Sequence, residues 1–195
     1  MSIFILLLVL ALWGVIHSFL ASHFAKDRIP AKVGDMDVYR LGYNIFSVIS
    51  FAPILYLMRT LPDRPAYQIQ SPWNILMFGG QLLSALLLLV AVLQTDTLSF
   101  IGLRQLFEKS QSGALVTHGL YRLVRHPLYL FGLLFTWLTP MVTQNSLTVY
   151  IGATIYTLVG TYFEEQKLLR DFGEVYAEYK RKTPMLIPVL IFGRK

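Results

Sequence analysis

Two short runs carry the side chains best suited to chemistry, Arg125-His126-Pro127-Leu128-Tyr129 and Glu164-Glu165. Proline favours the first position of a helix and pushes the residue before it out of helical conformation, so His126 falls at or beside an N-cap. Backbone N–H groups and the positive end of the helix dipole gather there and suit a carboxylate or phosphate, and Tyr129 projects from the same first turn. The acidic pair suits the opposite kind of ligand, an ammonium or a hydroxyl. It falls where the sequence predicts a helix C-terminus, and the dipole disfavours negative charge there. Each run also has a plainer reading. Arg125, His126 and Tyr129 are typical anchors at a membrane interface. Glu164 and Glu165 can simply begin a solvated helix, paired with Lys167 or Arg170.

What must position these groups is a long apolar segment. Pro127 to Phe163, thirty-seven residues, contains no charge. That is about twice the roughly 20 residues a helix needs to span hydrocarbon, and Gln144-Asn145-Ser146, after Pro140, reads as a turn near its middle. A hairpin of two membrane helices would deliver both polar runs to one side of a bilayer.

The rest of the chain agrees with a membrane setting. It has 195 residues, 55% of them hydrophobic, and a mean hydropathy of +0.55, an excess beyond what a soluble core of this size buries. Long Leu-rich runs without alternation satisfy their backbone as helices rather than barrel strands. Five spans are expected, at about 1–25, 39–60, 73–95, 127–142 and 146–163. A loop over 96–126 and an amphipathic C-terminal segment over 164–195 complete a single all-α membrane domain, 1–195. Gly173 is expected to break that segment, and Pro184 and Pro188 to end its helix. Met1 to Leu12 holds no Lys or Arg, which argues against a cleaved signal and for a retained first helix.

The net charge of +6 could point to nucleic acid, but fifteen of the 17 Lys and Arg fall in alternate loops. By the positive-inside rule the N-terminus then lies outside and the C-terminus in the cytoplasm. A multi-pass protein, in a bacterial inner membrane, with no nucleic-acid partner is expected. Cysteine is absent, which excludes disulfides, thiolate ligands and a cysteine nucleophile. No Gly-x-Gly-x-x-Gly follows a strand, so no dinucleotide fold is indicated.

Polar groups at membrane depth are fewer: His17, Ser18 and Ser22 in the first span, Tyr43 and Asn44 in the second. They mark either function or interhelical hydrogen bonding. His17 and His23 do not share a helical face, so no metal site is expected from them.

Taken together, Gly119-x-Tyr121-x-x-x-Arg125-His126-Pro127-x-Tyr129-x-x-Gly132, then Glu164-Glu165-x-x-Leu168-x-x-x-Phe172-Gly173-x-x-Tyr176-x-x-Tyr179, then Pro184 and Pro188, resemble the isoprenylcysteine carboxyl methyltransferase superfamily over about residues 113 to 188. The front half, His17-Ser18-Phe19-Leu20-Ala21-Ser22 with Tyr43-Asn44, is more similar to its NnrU-type and methanethiol S-methyltransferase branch. The resemblance implies a membrane methyltransferase with S-adenosylmethionine bound in a cytosolic pocket. Gly113, Ala114, Leu115, Val116 and Tyr121 would line the cofactor, His126, Pro127, Leu128 and Tyr129 would hold it, and Glu164 would bind its polar end. Glu165 and Tyr129 are the catalytic candidates, and His17 and Asn44 the candidate contacts to a small or lipophilic acceptor, a thiol first among them. In the prenylcysteine enzymes an arginine one turn before the acidic pair meets the substrate carboxylate; Gly160 stands there here, against a carboxylate substrate. An NADPH-dependent sterol-type reductase and a non-catalytic NnrU-like membrane protein are the competing readings. The sequence does not fix the oligomeric state.

Overall fold

A computed structural model describes residues 1–28, 36–95 and 115–188. The elements in chain order are α1 (Ser2–Ala21), α2 (His23–Arg28), α3 (Met36–Thr60), β1 (Pro65–Gln68), α4 (Trp73–Gln94), a 3-10 turn (Gly119–Arg122), α5 (Pro127–Trp137), β2 (Met141–Thr143), α6 (Gln144–Phe172) and α7 (Glu174–Lys182). Three of the helices are long and apolar enough to cross a membrane: α1, the part of α3 from Leu41 to Thr60, and α4. Phe4 and Val15 on α1, Val48 and Ile49 on α3, and Ile75 and Leu82 on α4 all turn outward. A chain in water would hide such faces, so the protein is a mostly helical membrane protein.

The elements pack as two units. In the first, α1, α3 and the N-terminal part of α6 meet through Leu6, Ile54 and Val149, with Val9, Leu10, Trp13 and Phe51 around them. A polar layer lies beside this core. His17 Nδ1 is 2.6 Å from the Tyr156 hydroxyl and its Nε2 2.8 Å from that of Tyr43. Trp13 stacks on the imidazole and donates to Ser50. At the other end of the unit β1 and β2 pair antiparallel, Pro65 opposite Thr143 and Gln68 opposite Met141. Asp63 caps the start of α6 by accepting from the Asn145 N–H at 3.0 Å, as an acidic side chain at a helix N-terminus should.

The second unit holds α4, the 3-10 turn, α5, α6 from Thr157, and α7. Gly80 lets α4 and the end of α5 approach, since a Cβ there would sit 2.8 Å from Leu138. Gln81 closes the same contact by donating to the Phe135 carbonyl and to Thr139.

Three expected boundaries are corrected. The fourth apolar helix stops at Trp137 rather than at 142, because Met141 to Thr143 give their backbone groups to β1. Gln144-Asn145-Ser146 is not a turn but the first turn of α6, with the reversal just before it around Pro140. Most important for the site, the last long helix does not end at 163. It runs on to Phe172, so Glu164 and Glu165 lie inside it rather than at its C-terminus. The dipole conflict expected there does not arise, and Arg125 and Lys180 meet Glu165. Gly173, at φ +55, does separate α6 from α7.

Candidate active site

The approach to α5 is built on a glycine. Gly119 has φ +60, a conformation that demands glycine, and a Cβ on it would press on the movable Gln94 amide. The next residue, Leu120, donates its N–H to Gln94 Oε1 at 2.8 Å, tying the turn to the end of α4. Tyr121 is buried and its carbonyl accepts from the Tyr179 hydroxyl at 2.5 Å. The chain after α7 then runs alongside the residues before α5: the Arg125 N–H donates to the Pro184 carbonyl at 2.9 Å and the His126 N–H to that of Met185 at 3.2 Å.

Pro127 opens α5 at its first helical position, with His126 as N-cap and no side-chain cap hydrogen bond. The His126 imidazole is instead turned toward α6. Its Nε2 lies 3.3 Å from Glu165 Oε1, its Nδ1 lies 3.9 Å from Glu164 Oε2, and it stacks on the Tyr129 ring. Tyr129 donates its hydroxyl to Glu164 Oε2 at 2.7 Å.

The two glutamates, though adjacent, live in different surroundings. Glu165 is buried and held on both oxygens: Arg125 approaches Oε1 at 2.6 Å through Nε, and Lys180 meets Oε2 at 2.8 Å. Burial alone would raise its pKa, but the bonds from Lys180 and Arg125 outweigh that and hold it below the ordinary carboxylate value. Glu164 keeps 41% of its side chain exposed. Its charge, behind the larger effect of burial, helps push Tyr121 up to about 12. His126 has its pKa lowered by burial, against the pull of Glu164 and Glu165, so the imidazole is neutral near pH 7.

Arg125 does more than salt-bridge. Its Nη1 also donates to the carbonyls of Lys180 and Thr183, fastening the chain after α7 to the start of α5. Tyr176 is buried next to this cluster and its hydroxyl proton is held far above the usual range, by burial first and then by Glu165.

Of the residues singled out from sequence, Tyr121, His126, Pro127, Leu128, Tyr129, Glu164 and Glu165 belong to the second unit, together with Leu115 and Val116. Gly113 and Ala114 lie outside the described residues. His17 and Asn44 belong to the first unit, and both ring nitrogens of His17 already face tyrosine hydroxyls. Arg125, Lys180 and Thr183 were missed as a group. The only signal was the position of Arg125 beside His126, and nothing in the spacing reveals that its partners come from α7.

The sequence profile of the family described as NnrU protein matches residues 5–192. The chain belongs to the NnrU family. Within the wider relationship, it is 32% identical to methanethiol S-methyltransferase 2 of Bradyrhizobium diazoefficiens, over 100% of this chain and 76% of that protein. It is 30% identical to the methanethiol S-methyltransferase of Pseudomonas deceptionensis, over 94% of this chain and 71% of the relative. A shorter match, 38% identity over 43% of this chain and 30% of the relative, is to the protein-S-isoprenylcysteine O-methyltransferase of Xenopus laevis. This NnrU protein therefore sits in the membrane methyltransferase branch that its motifs resemble. No solved structure matches it.

Proposed function

We propose that this NnrU protein is a membrane methyltransferase that moves the methyl group of S-adenosylmethionine onto a small or lipophilic thiol, with the His126–Tyr129 run and Glu164 forming the donor site on the cytosolic side of the membrane. The observation that carries the reading is similarity along the whole chain to methanethiol S-methyltransferases, with a half-exposed carboxylate beside a helix N-terminus in the matching motif.

The donor set fits such a cofactor. An amino acid carboxylate suits the N–H end of α5, which no side chain caps. An ammonium or ribose hydroxyls suit Glu164, whose Oε2 is oriented by Tyr129. Bound there, S-adenosylmethionine would supply an electrophilic methyl on a sulfonium, open to in-line displacement. Alignment and exclusion of water do most of the work in such a reaction. The chain after α7, fastened by Arg125, supports both.

Within this reading Glu165 positions rather than reacts. A carboxylate paired with Arg125 and Lys180 is a poor proton acceptor. His17 is assigned to joining α1, α3 and α6, because its ring nitrogens already face Tyr156 and Tyr43. Acceptor contact by Asn44 would show as a raised KM in Asn44→Ala. The reading keeps five crossings and the C-terminus in the cytoplasm.

The test is an assay of purified protein in nanodiscs with methyl-labelled S-adenosylmethionine and a series of alkyl thiols. Labelled thioether is expected, and NADPH should neither bind nor be consumed. Binding of NADPH with no methyl transfer would overturn the proposal.

A further inference from the structure

His126 carries an arrangement that binding a cofactor does not require. Deprotonated Glu165 only accepts hydrogen bonds, so the imidazole nitrogen at 3.3 Å from its Oε1 must be the one bearing hydrogen. That fixes the neutral ring as the Nε2–H tautomer. Nδ1 then presents its lone pair toward Glu164 Oε2, and at 3.9 Å the two are too far apart to share a proton. Two electron-rich atoms facing each other across such a gap favour a proton donor between them. The orientation is rigid because Arg125 and Lys180 immobilise Glu165, and the ring is braced against Tyr129. A carboxylate that sets the tautomer of a histidine, leaving the other nitrogen free to take a proton, is the arrangement by which hydrolytic enzymes activate a nucleophile.

We propose that His126 is the proton acceptor for the thiol, with Glu165 as its positioning residue. This rests on the methyltransferase reading above. The thiol S–H proton passes to His126 Nδ1. The sulfur lone pair forms the new bond to the methyl carbon, and the donor's carbon–sulfur bond breaks with its pair remaining on the donor sulfur. A thioether and a neutral donor product result, and His126 later returns the proton to water. Among the described residues, the charged and titratable groups facing the ring are Glu164 and Glu165 from α6, Arg125 beside it and Tyr129 from α5, with Lys180 and Tyr176 of α7 behind Glu165. Arg125 is bound to Glu165, so both carboxylates favour the protonated ring in the transition state. Burial, which holds the resting ring neutral, keeps it ready to accept.

The need for a base follows from acidity. An alkyl thiol is about as weakly acidic as a cysteine side chain, roughly 8.5, and is mostly protonated near pH 7. An aryl thiol such as thiophenol is already largely thiolate. Comparing the two isolates proton transfer from methyl transfer.

The experiment measures ethanethiol and thiophenol methylation by wild type and His126→Gln, with S-adenosylmethionine affinity measured by calorimetry on the same samples. The ratio of kcat/KM for ethanethiol to that for thiophenol should fall roughly 100-fold or more, the usual contribution of a general base. Rates are compared at saturating S-adenosylmethionine, so that any weakening of donor binding falls on both thiols alike; an equal fall for both thiols, or no fall for either, overturns the assignment. Failure of the wild type to methylate any thiol would instead sink the methyltransferase reading. A second measurement uses the unaltered chain without cofactor. In the 15N spectrum of labelled histidine, the ring whose signals are missing from His126→Gln should be protonated at Nε2 and bare at Nδ1, unchanged well below the pH at which exposed histidines charge. If that ring is the Nδ1–H tautomer, the proposal is wrong.

Discussion

Tyr129 donates its hydroxyl to Glu164 Oε2 at 2.7 Å, joining the first turn of α5 to the middle of α6. Because Glu164 is the exposed member of the acidic pair, this bond aims the carboxylate without neutralising it. Tyr129→Phe should weaken S-adenosylmethionine binding about 5- to 10-fold, the net worth of an ordinary hydrogen bond, since the half-exposed carboxylate can turn to water instead. Thermal stability should barely move. Calorimetry and a melting curve on the same preparation check both halves of the statement.

Arg125 predicts a different pattern. Removing it leaves Glu165 buried with Lys180 as its one remaining strong cation among the described residues, and frees the chain after α7. Arg125→Ala should destabilise the protein by about 3 kcal/mol or more. Arg125→Lys should recover only part of this, because a single ammonium cannot hold Glu165 and the Thr183 carbonyl together. Denaturation in mild detergent would measure the difference, and Arg125→Lys matching wild type would contradict the clamp.

Gly119 and Gly79 separate two uses of glycine. Ala at 119 meets both a positive φ and the Gln94 amide, and should cost about 1–3 kcal/mol. Gly79 has open space around it in α4, so Ala there should stabilise slightly, by a few tenths to about 1 kcal/mol. Melting temperatures of the two variants should move in opposite directions.

Stability should fall with acid in two stages. His126 has a folded pKa below its ordinary 6.5, so the unfolded chain takes up this proton first. Stability is complete above about 6.5 and declines as pH falls from there toward the folded value. Glu165 is also depressed, below its ordinary 4.5. Its contribution is present above that value and lost as pH falls through the folded one. A pH series of melting curves should show both stages, and the first should be smaller in His126→Gln.

How much of this was legible in the sequence divides along physical lines. The membrane character of α1, α3 and α4 could be read because hydropathy is summed over about twenty residues and tolerates local error. The break at Gly173 could be read because one residue, with a positive φ, decides it. The end of the last long helix could not. Charge marks where a helix leaves hydrocarbon, not where it stops, and α6 continues past Glu164 for two turns. The early end of α5 was hidden for another reason: Met141 to Thr143 leave the helix to pair with Pro65 to Gln68, more than seventy residues away in sequence. At the site, His126, Tyr129 and the glutamates were visible as types and spacing. The unequal roles of Glu164 and Glu165 were not, because they depend on Arg125 and Lys180 converging from separate elements on one carboxylate.

The central claim, that Glu164 holds the methyl donor beside the start of α5, is tested most directly by titrating S-adenosylmethionine into wild-type and Glu164→Ala protein in nanodiscs. Saturable binding to the wild type and none detectable to the folded variant is the predicted result. Equal affinity in the two would contradict the account.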